Sequence, residues 1–284
     1  MPVPAALRSG AGALPEGAAW LRRLPHLVAA AATRWDLRLG RPFTSGSSSW
    51  CAPARGPAGE DLVLKISFPH AEAAAEAAVL RAWAGHGAVG LIDSDAADWA
   101  LLLHRVRPGV TMRATRTPVL RRLVEAAAVL RVLGEAPVPD GLPDLHLVGA
   151  AWAVTLVDRA DRADRAERTA RSRTTGGVRA PGASGALVDP GLVREAVAVL
   201  RAPPVARPGV VHGDLNPGNL LRGAGVDGDA GSDGSAGLWV AIDPKAMRGD
   251  PAYDLWPLLE QVGDPWRTVD PEATLRVRTS LLAG

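Results

Sequence analysis

Lysine is almost missing from this chain: of its 32 basic residues, all but Lys65 and Lys245 are arginine. An ammonium is a compact point charge and a guanidinium a planar fork, so two lysines among so many arginines suggest places where the point charge matters, chance survival being the alternative. Cysteine is scarcer still. The single Cys51 excludes an internal disulfide framework and a cysteine-built metal centre, and it fits a reducing cytoplasm. An excess of either charge is also lacking: 32 basic against 30 acidic residues leave a net charge of +2, so no basic nucleic-acid footprint is required. No apolar run approaches the roughly 20 residues of a membrane span. The N-terminal stretch Leu27 to Ala32 is short and alanine-rich and lacks the order of regions of a signal peptide. What remains, 47% hydrophobic and 22% charged over 284 residues, is an ordinary globular composition, long enough for one bilobal unit or two modest domains.

Periodicity sorts the first 106 residues into a small, largely antiparallel sheet with one inserted helix. Ala18 to Leu39 reads as a helix broken near Pro25. Arg41 to Ala54 reads as strand-turn-strand with its tip at Gly46-Ser47-Ser48-Ser49, and Asp61 to Phe68 as a strand. Pro69 can open a helix over His70 to Ala84, and Ala88 to Asp93 and Trp99 to Val106 read as two more strands. Residues 107–284 are mainly helical. Pro118 to Gly134 carries an apolar stripe through Leu120, Leu123, Val124, Ala127 and Leu130, and Gly191 to Leu200 reads as another helix. Two insertions interrupt this half. One, about 158–186, begins with the alternating charges DRADRADRAER, which suit a solvated helix or a disordered tract; the other, 223–237, reads as a flexible hairpin tip.

The chemistry lies in VVHGDLNPGNLL and WVAIDPKAMRGDPAYDL. Asp214 and Asn219 stand five residues apart in a Pro/Gly loop, and Asp243 follows a short apolar run. A carboxylate at Asp214 can hold a substrate hydroxyl, although a turn-forming aspartate would also satisfy that loop. Asn219 and Asp243 offer hard oxygens to Mg2+, and together the three have the spacing of a phosphoryl-transfer site. His212 reads as a loop-holding residue; Asp250 could cap the next helix with Asp254 one turn inside it, and both read as bracing the loop rather than as direct chemistry. Lys65, on its strand, reads as the partner of α and β phosphates and needs a helix carboxylate. Glu72 and Glu76 are both available, and Glu76 is preferred because it shares a stripe with Leu80 and Trp83. Backbone N–H groups and hydroxyls of Ser47, Ser48 and Ser49 could meet phosphates, or form an ordinary polar turn. The link Arg107-Pro108-Gly109 would lie where an adenine meets backbone, and Lys245 could touch phosphate or substrate. D-F-G and A-P-E segments are absent, which disfavours a protein kinase.

HGDLNPGN, AIDPKAMRGDPAYDLWPLL, VLKISFPHAEAAAEAAVLRAWAGHGAVGLI and ALLLHRVRPG resemble the aminoglycoside/hydroxyurea antibiotic-resistance kinase family, from about Leu37 to Leu282. The resemblance implies an α+β, bilobal, protein-kinase-like fold: a nucleotide-binding N-lobe over 1–106 and a C-lobe over 107–284. It implies ATP and Mg2+, and transfer of the γ-phosphate to a small-molecule hydroxyl, such as that at the 6-position of streptomycin. Hydroxyurea or another metabolite is the alternative acceptor, and a nucleotide-binding protein without turnover the alternative function. Asp214 would be the catalytic base, Asn219 and Asp243 the Mg2+ ligands, and Lys65 with Glu76 the phosphate-orienting pair. Asn216 stands where members often carry His, and His104 where they often carry Glu. Members usually continue through further helices beyond the region matching Val269 to Leu282, so the acceptor pocket is expected to draw on helices this chain lacks.

Overall fold

The structure, a computed structural model, describes residues 2–174, 189–203, 207–223 and 239–282. After the short helix α1 (Ala5–Ser9), helix α2 (Gly17–Arg34) runs without interruption through Pro25. The break expected there does not occur because Pro25 lies on the solvent face, where the carbonyl it orphans can be hydrated. Trp20, Leu24, Leu27, Val28 and Ala31 hold the other face against the sheet.

That sheet comprises β1 (Arg38–Leu39), β2 (Ser49–Arg55), β3 (Asp61–Ser67), β4 (Leu91–Asp95) and β5 (Ala100–His104), in the order β1-β2-β3-β5-β4 with every pair antiparallel. The strand expected ahead of the serine turn is an irregular arm instead. Pro42 has no N–H for a ladder, and the arm is tied to β2 by Gly40 N–H to Pro53 O and Phe43 N–H to Cys51 O. Helix α3 is shorter than the expected His70–Ala84: a 3-10 turn over Ala71–Ala73 precedes it, and the helix proper runs Glu76–Trp83.

β6 (Pro108–Thr111) leads to α4 (Val119–Gly134), whose buried stripe is Leu123, Ala126, Leu130 and Leu133. Leu120 and Val124, expected inside, are about half exposed. The charged tract is helical as far as Thr174, within α5 (Leu145–Thr174), and α6 (Pro190–Arg201) packs along it. The remainder of that insertion, 175–186, lies outside the described residues, as does all of the expected hairpin tip except Gly223. The strands flanking that tip, β8 (Leu220–Gly223) and β9 (Trp239–Ala241), do pair antiparallel, with β6 completing a three-stranded sheet. β7 (Gly209–Val211) pairs with β10 (Met247–Gly249), followed by α7 (Leu255–Gln261) and α8 (Pro271–Leu282).

The largest apolar core joins α3, α4, α7 and the short strands through Trp83, Leu133, Leu215, Leu220 and Leu258. It runs beneath both halves of the chain and so fixes α3 relative to the loops that follow β7 and β9. No described helix is long and apolar enough to cross a membrane.

Candidate active site

Side chains alternate along β3, so Leu64 and Ile66 enter the α2 core while Lys65 leaves on the opposite face. Lys65 is 5% exposed, and its Nζ donates to both carboxylate oxygens of Glu76, at 2.6 and 2.7 Å. Glu76 begins the buried α3 stripe that continues through Val79, Leu80 and Trp83. It therefore turns inward, and Glu72 does not compete for Lys65. A third oxygen, Asp243 Oδ1, lies 2.6 Å from the same nitrogen. An ammonium has three donors, and here all three are used. Burial works against the charge of Lys65, but Glu76 and Asp243 outweigh it and hold the pKa above the ordinary lysine value.

Asp243 follows β9 with φ of +59°, a left-handed conformation that costs a non-glycine residue about 1–2 kcal/mol. Hydrogen bonds on either side hold it there: Ile242 N–H donates to Asn219 O at 2.9 Å, and Lys245 N–H to His212 O at 2.8 Å. These bonds lay segment 242–245 alongside loop 212–219. Asn219 and Asp243 consequently face one cavity of about 520 Å³, together with Lys65 and Glu76. Leu103, His104, Val106, Pro108 and Gly109, at the link expected to meet adenine, line the same cavity.

Two buried groups shape the loop. Asp254 accepts the N–H of His212 at 2.6 Å and of Gly213 at 2.8 Å, and burial pushes its carboxyl up to about 7 in spite of those donors. His212 Nδ1 accepts the N–H of Asp214 at 3.3 Å, which makes Nε2 the protonated nitrogen, donating to Ile242 O at 3.1 Å. Trp83 stacks on the imidazole with centroids 5.9 Å apart, and burial lowers its pKa to about 4. The ring is neutral and braces the loop. Gly213 is required twice over: its φ is +80°, and a Cβ there would lie 2.3 Å from Lys245 O.

Asp214 lies outside the cavity wall, beside it. Its carboxylate Oδ1 accepts Asn216 Nδ2 at 2.8 Å, and its carbonyl accepts Asn219 Nδ2 at 2.9 Å. With its amide nitrogen committed, Asn219 has its oxygen as the end a cation would meet. Lys65 foremost keeps Asp243 below the usual carboxylate range against burial, so that group is ionised. Among the described residues no three or more His, Cys, Asp or Glu side chains cluster to hold a metal. Two hard protein oxygens are what Mg2+ takes when phosphates and water complete its octahedron, and this donor set fits it.

The serine turn is only partly at the site. Ser48 and Ser49 line the cavity with Ser45 and Gly46, but the Ser49 hydroxyl is engaged with Ser67 at 3.1 Å. Ser47 belongs elsewhere: its carbonyl accepts Ala11 N–H, packed against Gly10. Cys51, opposite Lys65 in the β2–β3 ladder, lines the cavity as an inert thiol that burial pushes up to about 12. Arg113 also lines it and was not foreseen. Its Nη2 reaches Gln261 Oε1 at 3.0 Å and Asn216 Oδ1 at 3.4 Å, contacts no local pattern announces.

Residues 34–281 match the family described as aminoglycoside/hydroxyurea antibiotic resistance kinase. A streptomycin 6-kinase of Streptomyces glaucescens is 31% identical over 255 residues, covering 88% of this chain and 71% of that one. A hydroxyurea phosphotransferase of Kitasatospora aureofaciens is 32% identical over 259 residues, covering 89% of this chain and 65% of that one. Among solved structures, choline kinase from Streptococcus pneumoniae superposes with a TM-score of 0.54 at 14% identity, covering 90% of this chain and 80% of that one. That likeness shows the bilobal, protein-kinase-like α+β fold. The family match spans the lysine strand, the HGDLNPGN loop and the AIDPK segment alike: the chain is a phosphotransferase and belongs to the aminoglycoside/hydroxyurea antibiotic resistance kinase family.

Proposed function

We propose that the protein transfers the γ-phosphate of ATP, with Mg2+, to a hydroxyl of a small molecule. The favoured acceptor is an aminoglycoside such as streptomycin at its 6-position, which would confer resistance in the cytoplasm where ATP is present. The observation that carries this reading is the convergence of Lys65, Glu76, Asn219 and Asp243 on one cavity with Asp214 at its edge. Lys65, oriented by Glu76, would pair with the α and β phosphates, and the link at residues 103–109 would receive the base. Asn219 and Asp243 would hold Mg2+, which supplies charge neutralisation at the β and γ phosphates. Asp214 would accept the hydroxyl proton and aim the oxygen at the γ-phosphorus. A relative named hydroxyurea phosphotransferase, as similar as the streptomycin kinase, keeps hydroxyurea as a second acceptor.

A coupled ADP-release assay across streptomycin, other aminoglycosides and hydroxyurea tests both readings. Acceptor-dependent turnover with streptomycin is expected, and Asp214→Ala should lower kcat at least about a hundredfold while nucleotide binding persists. Turnover undiminished in Asp214→Ala would remove the assignment. ATP binding without transfer to any acceptor would favour a nucleotide-binding protein that does not turn over.

A further inference from the structure

Lys245 is the chain's second lysine, and the site as assembled above has no use for it. Its backbone is pinned to the HGDLNPGN loop on both sides: its N–H donates to His212 O at 2.8 Å, and its carbonyl occupies the space that only a glycine at 213 leaves open. From there the side chain brings Nζ to 3.7 Å from Asp214 Oδ2 and 3.3 Å from Glu72 Oε2. Glu72 belongs to the 3-10 turn just ahead of α3. The two lysines thus divide four acids, Lys65 taking Glu76 and Asp243, Lys245 taking Glu72 and Asp214.

The two ammonium groups differ in how firmly they are held. Lys65 is buried and saturated at 2.6–2.7 Å. Lys245 is 43% exposed, its contacts are longer, and its Glu72 partner is 52% exposed, so exchanging that partner costs little. Position matters as well. A hydroxyl held on Asp214 attacks from about 3–3.5 Å, which brings the phosphoryl group within reach of a nitrogen already 3.7 Å from that carboxylate. The loop itself supplies no cation there, since position 216 is an asparagine and Arg113 is turned to Gln261 and Asn216.

Resting on the phosphotransferase reading, we propose that Lys245 is a catalytic residue whose ammonium leaves Glu72 to contact the γ-phosphoryl oxygens during transfer. In that step the bond from the γ-phosphorus to the bridging oxygen breaks, and its electron pair stays on the departing nucleoside diphosphate. The acceptor oxygen forms the new bond, its proton passes to Asp214, and the negative charge of the moving group faces Lys245. Lys65 then serves the α and β phosphates, and Lys245 the γ-phosphate alone.

Binding separates this from a bracing role. Dissociation constants for ADP and for the non-hydrolysable triphosphate AMP-PNP, both with Mg2+, are measured on wild type, Lys245→Ala, Lys245→Met and Glu72→Gln. Thermal melting of each variant verifies folding, and the methionine variant keeps the side-chain stem should the alanine variant unfold. Loss of Lys245 should cut the preference for AMP-PNP over ADP about tenfold, the scale of one charge-assisted hydrogen bond, with ADP affinity held within about twofold. Glu72→Gln should preserve or raise that preference. A bracing lysine would weaken both nucleotides together and leave the ratio unchanged, which overturns the proposal, as does a wild type that binds both alike. A wild type that binds neither nucleotide defeats the phosphotransferase reading itself, and the role of Lys245 falls with it.

Discussion

Lys65 and Asp243 stand 178 residues apart in the chain and meet at 2.6 Å, with Glu76 on the other side of the same ammonium. One buried cation thereby joins the sheet, α3 and the segment after β9. Removing it would leave Glu76, 3% exposed, without its counter-charge. Lys65→Met should therefore destabilise the protein by about 3–5 kcal/mol, measured by urea unfolding. Adding Glu76→Leu should recover at least half of that loss, because the orphaned charge is then gone, while nucleotide affinity stays low. A double variant as unstable as the single one would show that the pair matters through packing instead.

The loop carries two buried groups whose titrations oppose each other. His212 is lowered by burial from 6.5 to about 4, so the stability it contributes is present above 6.5 and is lost as pH falls toward 4. Asp254 is raised by burial from 3.8 to about 7, so its contribution is full below 3.8 and is lost as pH rises through 7. Over the shared window the two slopes offset each other. Asp254→Asn should leave the histidine slope alone, and stability should fall about 1 kcal/mol per pH unit more steeply than wild type between about pH 6.5 and 4.5. Urea midpoints across that range decide it; parallel curves would reject the opposition.

Gly213 tests the close approach of loop 212–219 and segment 242–245. An alanine there must adopt a φ of +80° and push its Cβ against Lys245 O, the carbonyl of a residue whose own N–H is bonded back to His212 O. Gly213→Ala is expected to cost at least about 2 kcal/mol in urea unfolding and most of the turnover. A melting temperature equal to wild type would mean the segments part easily.

What could be read beforehand was what local rules determine. Lys65 faces the cavity because strands alternate, and Glu76 rather than Glu72 meets it because i, i+4 and i+7 share a helix face. The HGDLNPGN loop carries its own turn residues. The failures were matters of tertiary context. Pro25 is tolerated because its face is solvated, the stripe of α4 is offset by what packs on it, and Ser47 is drawn away by Ala11. Arg113 meets Asn216 across 103 residues, and no periodicity encodes such a contact.

The side-chain amide of Asn216 performs two tasks at once. Nδ2 donates to Asp214 Oδ1 at 2.8 Å, and Oδ1 accepts the N–H of Gly218 at 2.8 Å, so the turn that delivers Asn219 also orients the carboxylate. Removing the amide should leave the Asp214 carboxylate with only its longer contact to Lys245, at 3.7 Å, without touching the polyphosphate side of the cavity. Asn216→Ala is therefore expected to lower kcat with streptomycin about tenfold, with the AMP-PNP to ADP affinity ratio unchanged. Asn216→Asp should be worse than alanine, because a second carboxylate at that distance repels Asp214 out of position. Nucleotide titrations and initial rates on the same preparations separate these effects. Equal kcat in wild type and both variants would show that the Asn216 amide is not needed to hold Asp214.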